Sequence, residues 1–460
     1  MNNNNTQLMP QAHFKGFRIA ILGGGPAGLF AGYFAKKAGL PFDIYEASER
    51  IGGNCKTFQF GDFRFDSGAH RFHDRDAEMT EEILALMGDR ISQISAPSFI
   101  YHKGKLLHFP ITPGELLTKL PLSTILRSGF QALTAPRSAP AQNFREYVYR
   151  KYGKSIADLF ITNYSAKLWG VETENLSTKV AGNRLKNINI SSLVNEFLHP
   201  KKKAKHMEGA FYYPQLGFGE IAETVANFCG RENIHTNSPV TRIIHDGSRI
   251  NGFEINENEF IPTSYLASSL PLSVFINLMH PAPPDAVFEL ASSIRFRHLK
   301  LVCMFIDKPT INKAATLYFP DRKYLFTRAY EPRNRSPLMS PEGKTSLMVE
   351  IPYSFGDEVE TMSDEALFDH VSKHLVKSGL MTHSEIMEMT VKHLPYAYPV
   401  LEKDYDKKIE SLNAYFDRFT NLYLTGRNGK FVYSWTHNMM RYGKRFVDRL
   451  TQLEEIALAV

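Results

Sequence analysis

Gly23-Gly24-Gly25-Pro26-Ala27-Gly28, with the acid Glu46 placed 18 residues after Gly28, has the residue types and spacing that hold a dinucleotide. Gly23 permits a tight turn, Gly25 lets the backbone approach a pyrophosphate, and Gly28 lets a helix pack closely on a strand. Pro26 and Ala27 open that helix, whose unpaired N–H groups and partial positive charge suit phosphate oxygens. Glu46, followed by Ala47, accepts hydrogen bonds from ribose hydroxyls and disfavours a 2′-phosphate. The flanking elements are those required. Phe17–Leu22 reads as a buried parallel strand. Leu29, Ala31, Phe34 and Ala35 keep helical spacing up to Gly39, and Phe42-Asp43-Ile44-Tyr45 reads as a second strand ending at Glu46.

A second glycine pair follows, in Arg50-Ile51-Gly52-Gly53-Asn54-Cys55-Lys56-Thr57. With it the sequence resembles the flavoprotein group of flavin amine oxidases, phytoene desaturases, protoporphyrinogen oxidases and UDP-galactopyranose mutases. The resemblance implies FAD, with Arg50, Gly52 and Gly53 against its pyrophosphate and ring edge. Gly68-Ala69-His70-Arg71-Phe72-His73 is similar to the loop that borders the flavin ring in mutases. His70 is then a candidate for contact with the ring or a sugar, or else a structural histidine; His73 reads as structural. Later segments imply further cofactor contacts: Tyr213–Ala222, Val240 beside the adenine, and Gly426-Arg427, with Arg427 on phosphate. The expected fold is α/β, with a discontinuous Rossmann-like FAD domain over 15–75, 213–275 and 416–452. An α+β substrate domain is inserted, mainly helical over 76–212 and strand-rich over 276–415. Residues 1–14 are expected to form a disordered tail.

The middle of the chain carries the substrate signals. Tyr164-Ser165-Ala166-Lys167-Leu168-Trp169-Gly170 resembles the mutase motif in which the Tyr stacks on uracil and the Trp lines the sugar pocket; the alternative is a pair of core aromatics. Arg184 and Arg328 fall where mutases carry the arginines that reach the diphosphate. Tyr433 and Trp435 fall on the substrate side of the last motif. There the pattern departs, with Phe431 in place of a Tyr and Trp435-Thr436 in place of an Asp-Met pair. The resemblance therefore implies catalytic roles for His70, Arg328, Arg184 and Trp169, and substrate contacts from Tyr164, Tyr433 and Trp435. The reaction it implies is isomerase or oxidoreductase chemistry on a nucleotide-linked sugar, in glycan biosynthesis. The alternative is hydride removal from an amine, a porphyrinogen or a polyene; Lys300 stands in a register comparable to the amine oxidase lysine, but reads first as an ordinary sheet residue. A third reading is a flavin-bearing scaffold.

Composition bounds the rest. A chain of 460 residues exceeds one ordinary core, so two or three domains are expected. A net charge of +6 is mild and does not point to nucleic acid. The basic run Lys201–Lys205 reads as a solvated loop. Three scattered cysteines, Cys55, Cys229 and Cys303, offer neither a disulfide framework nor a zinc site; a reducing, cytoplasmic setting and no metal are expected. The polar start lacks the apolar core of a signal peptide, and no apolar run is long enough to span a bilayer. Pro113–Leu133 is amphipathic and mildly basic, which suits a core helix or a peripheral membrane contact. A homo-oligomer is compatible with these features.

Overall fold

A computed structural model describes residues 17–111, 113–136, 139–182 and 210–459. The expected tail, Arg184 and the Lys201–Lys205 run lie outside the described residues. Ile19–Leu22, Phe42–Tyr45, Tyr265–Ser268, Leu422–Leu424 and Ile234–His235 form an all-parallel five-stranded sheet. Parallel sheets need cover on both faces, and this one has it. Ile19 and Ile21 face α1 (Pro26–Lys37), helix Gly219–Cys229 and the C-terminal helix Thr436–Ala459. Ala20 and Leu22 face helices Leu272–Leu278 and Tyr405–Phe416. Strands some 400 residues apart in sequence thus share one sheet.

Between those segments lies a seven-stranded sheet. Its order is Ile386–Pro399, Phe296–Ile306, Thr345–Tyr353, Arg328–Tyr330, Thr316–Tyr318, Ser98–His102 and Lys105–Phe109. Phe296–Ile306 and Thr345–Tyr353 are buried at every position, their charged residues included. Their side chains alternate between two cores. Leu299, Leu301, Cys303 and Phe305 face one, and Val302, Met304 and Ile306 face the other, beneath helix Asp364–Lys377.

The region expected to be mainly helical starts differently. After α2 (Ala77–Met87) come the strand Ile91–Ile94 and the hairpin Ser98–Phe109, and only then helices. The hairpin closes locally on the Lys103-Gly104 turn, both residues at positive φ, and its first strand also pairs in parallel with Thr316–Tyr318. The helices are α3 (Pro113–Lys119), α4 (Leu122–Thr134), α5 (Phe144–Tyr152), α6 (Lys154–Ala157) and α7 (Asn163–Trp169). Among the described residues no helix is long and apolar enough to cross a membrane.

The C-terminal helix crosses α1 at Gly443. A Cβ added there would sit 2.7 Å from the backbone carbon of Phe30 and 2.8 Å from the Ala31 nitrogen. Backbone cannot yield as a side chain can, so the two helices would have to separate. Gly443→Leu should therefore lower unfolding free energy by about 1–3 kcal/mol, the range of overpacked cores. Urea unfolding checks this.

Candidate functional site

The N-terminus of α1 is where four distant segments meet without side chains. Gly23, at φ +97°, donates its N–H to Tyr45 O at 2.8 Å, and a Cβ on it would lie 2.3 Å from Ser269 Oγ. A Cβ on Gly28 would lie 1.9 Å from Gly23 O, so helix and strand approach as the spacing implies. Gly52 N–H donates to Gly24 O at 2.8 Å, and Gly53, at φ +51°, brings its Cα face against Gly25. Gly426, at φ +78°, closes the other side, where an added Cβ would be 3.0 Å from Ala27 Cβ. By helix geometry the Ala27 and Gly28 amides point out of the helix end with no carbonyl four residues earlier to accept them.

Glu46 stands at the strand tip beside this cradle. Its Oε2 accepts the Gly24 N–H at 2.7 Å, and its Oε1 accepts the Ser48 N–H and hydroxyl at 3.0 and 2.6 Å. The Ser238 N–H donates to Glu46 O at 2.9 Å, which brings the start of Val240–His245 next to the acid and exposed Ala47. Arg50 donates through Nη2 to Thr57 O at 2.8 Å and packs over Phe58. A flavin dinucleotide fits this donor set. Glycine backbone lines the cradle, helix-end amides face a pyrophosphate, and Thr425 Oγ1, Asn428 Oδ1 and Trp435 Nε1 are buried without partners among the described residues.

The loop Ser67–His70 runs from the cradle to the substrate sheet. Ala69 N–H donates to Glu350 Oε1 at 2.9 Å, and His70 N–H to Gly68 O at 2.7 Å. A Cβ on Gly68 would press to 3.3 Å from His70 Nε2 and 3.4 Å from Glu350 Oε1. His70 Nε2 lies 3.2 Å from Ser67 Oγ. Burial, then the charges of Arg328, Arg427 and Arg335, push its pKa down to about 3. It is neutral at physiological pH, a hydrogen-bonding group rather than a cation.

Arg328 begins an inner strand of the seven-stranded sheet, directly across from Glu350. Its Nε donates to Glu350 Oε2 at 2.5 Å and its Nη2 to the Tyr398 hydroxyl at 3.0 Å. The Glu350 side chain is fully buried. Aromatic rings surround the pair. Trp169 meets Tyr398 and Tyr433 edge-on at 6.0 and 5.6 Å, and Tyr164 meets Tyr318 at 5.6 Å. The structure thus brings together His70, Arg328, Tyr164, Trp169 and Tyr433. Trp169 is held there because α7 ends at Gly170, in the left-handed region, where Arg297 donates to the Lys167 and Leu168 carbonyls. A side chain at Gly170 would collide with Arg297 at 2.5 Å.

Arg427, Phe431 and Lys300 take these places. Arg427 was expected on phosphate, but its Nη1 and Nη2 donate to the carbonyls of Ala397 and Ser434, both at 3.0 Å. Its charge therefore lies beside Tyr398 and Tyr433, because the positive φ of Gly426 turns the chain toward that sheet. Phe431, which departs from the mutase pattern, is fully buried against Phe296 and Tyr405. Lys300 lies on the opposite face of its strand from Leu299 and Leu301, which pack with Trp169 and Tyr398. Its ammonium donates to the Glu360 and Met362 carbonyls at 3.0 Å each, away from the pocket. Trp435 stands at the edge, with Arg75 over its ring at 4.2 Å and His437 stacked on it.

Sequence reading missed Glu350 and Tyr398. The signal for Glu350 was available: a lone carboxylate within the apolar run Ser346–Ile351 must be paired once that strand is buried.

The profile of the flavin-containing amine oxidoreductase family matches residues 26–426. The chain belongs to that family. It is an FAD-dependent oxidoreductase-class enzyme, and bound FAD supplies a ring that accepts or donates electrons. The chain is 23% identical over 446 residues to coproporphyrinogen III oxidase of Staphylococcus aureus, covering 89% of this chain and 94% of that one. Protoporphyrinogen oxidase 2 of Arabidopsis thaliana is 28% identical over 180 residues, which is 36% of this chain and only 35% of the relative. Among solved structures, reduced UDP-galactopyranose mutase aligns with TM-score 0.83 at 20% identity, over 95% of this chain and 94% of the other. Putrescine oxidase bound to putrescine aligns with TM-score 0.65 at 15% identity, over 95% and 99%.

A histidine that stays neutral in the fold but protonates in the unfolded chain makes unfolding favourable in acid. With the folded pKa about 3 against an ordinary 6.5, the unfolded state binds more protons between those values. Stability should be full above pH 6.5 and fall below it, by up to about 1.4 kcal/mol per pH unit. His70→Gln should remove that component of the acid slope, as read by thermal melts across pH.

Proposed function

We propose that the enzyme acts on a nucleotide-linked sugar, in the manner of the UDP-galactopyranose mutases. The observation that carries this reading is Arg328, held by Glu350 and Tyr398 within an aromatic chamber that abuts the loop Gly68–His70. Guanidinium donors match the oxygens of a diphosphate. Tyr164 supplies a face for the base, Trp169 and Tyr433 line the space for the sugar, and neutral His70 hydrogen-bonds beside the flavin ring. Arg184 supplies the second cation, and Trp435 guards the edge where mutases carry an acid. Gly23, Gly25, Pro26, Ala27, Gly28, Glu46, Ala47, Arg50, Gly52, Gly53, Gly68, Ala69, Val240 and Gly426 form the FAD site. These contacts act by binding and orienting the reacting carbon and by stabilising the charge on a departing diphosphate.

One observation favours a second reading, porphyrinogen oxidation: the relative matched over 94% of its length is a coproporphyrinogen III oxidase. An arginine in an aromatic chamber also suits a flat ring bearing carboxylates. Amine oxidation is disfavoured, because Lys300 points away from the chamber.

The two readings separate in one experiment. Dithionite-reduced enzyme is incubated with UDP-galactofuranose and a panel of nucleotide sugars, and oxidised enzyme with coproporphyrinogen. Isomerised sugar from the reduced enzyme alone is the expected result, with Arg328→Lys lowering kcat/KM about 100-fold, as loss of one preorganised donor does. Flavin reduction by the porphyrinogen, with no sugar turnover, would replace the first reading by the second.

A further inference from the structure

We propose that the face formed by α3 and α4 docks on an anionic phospholipid surface. Surface helices normally turn their large apolar side chains inward. Here the pattern is reversed. Leu122, Leu126, Phe130 and Leu133, spaced along one side of α4, are 61, 65, 68 and 76% exposed, and Leu117 of α3 is 48% exposed. The buried residues of α4 are the small Ser128 and Ala132.

The helix is held in that orientation from its inner side. Ser128 Oγ accepts the Ile156 N–H at 2.8 Å, and Gln131 Oε1 accepts the Ser155 N–H and hydroxyl at 3.0 and 3.1 Å. A Cβ on Gly153 would lie 2.1 Å from Ser128 O, so the turn before α6 is already in backbone contact with α4. Rolling α4 to hide its leucines would break all of these contacts. The exposed row is therefore a fixed surface.

Charge selects the occupant. From Ser98 to Ala157 the chain carries nine basic and two acidic side chains, a formal +7; the remaining residues carry 45 and 46, a formal −1. The whole positive excess of the protein belongs to the segment that displays the apolar row. Lys103 and Lys105 are exposed at the hairpin tip, and Arg127 is exposed on α4. Glu115, one of the two acids, is tied to His108 and Lys119. An apolar row carrying exposed Arg127, in a segment of strong positive charge, matches the acyl boundary and head groups of an anionic leaflet. Neither helix is long enough to span, since α4 has 13 residues, so contact is interfacial.

The FAD-loaded protein is floated with vesicles of phosphatidylcholine alone, or with about one third phosphatidylglycerol, at low and high salt. Binding to the anionic vesicles only, released by salt, is the expected result. Leu126→Glu with Phe130→Glu should weaken it at least about tenfold while FAD content and Tm stay unchanged, since both side chains are exposed. Lys103→Glu with Lys105→Glu and Arg127→Glu should also weaken it, with the apolar row intact. The proposal is overturned by absence of binding to anionic vesicles, or by unchanged binding of either variant. It is equally overturned by a solution dimer that Leu126→Glu with Phe130→Glu converts to monomer, which would mean that a second copy covers this face.

Discussion

A carboxylate with no solvent contact stands between the two halves of this molecule. Glu350 lies in a strand buried along its whole length, and its two oxygens look opposite ways, one to the Ala69 amide of the cofactor loop and the other to Arg328. A buried charge is tolerated only when its partners are fixed. The cross-strand register supplies that fixity, setting Arg328 beside Glu350 on one side and Leu301 on the other. The position of the flavin loop, the direction of the arginine and the placement of Tyr398 therefore depend on one side chain. Breaking it would leave an uncompensated cation in an aromatic chamber.

The cofactor half obeys a different constraint, close approach of backbone. Gly23, Gly25, Gly53 and Gly426 bring together segments from both ends of the chain around the start of α1. A side chain at several of these positions would occupy backbone or fixed neighbouring atoms. The family match from residue 26 to 426 spans the same distance in sequence. The two constraints divide the molecule: close backbone approach shapes the start of α1, while a buried charge pair and aromatic rings shape the inner part of the seven-stranded sheet.

The cofactor half was readable from the sequence because its signals are local: glycine spacing, an acid at a strand tip, a second glycine pair. The fully buried strands around Leu301 and Val349 were readable for the same reason. The hairpin Ser98–Phe109 went unread although its Lys103-Gly104 turn is local; only its place beside Tyr318, more than 200 residues away, needed the sheet order. Lys300 shows a related limit. Its register suggested a flavin contact, but only the face on which Leu299 and Leu301 pack decides which way it points. Arg427 shows the same for a turn, because the residue was identified and its direction was set by the conformation of Gly426. Glu350 was visible as an anomaly within an apolar run, and its partner could not be named without the sheet order.

Glu350→Gln tests the central claim most directly, because the amide keeps the shape while removing the charge that balances Arg328. The measurement is the flavin visible spectrum of the purified variant, for FAD content and for its perturbation by added substrate. The account predicts a full complement of FAD, since the glycine cradle is intact, with substrate perturbation and turnover both lost. Wild-type turnover by the variant, or loss of FAD together with activity, would contradict it.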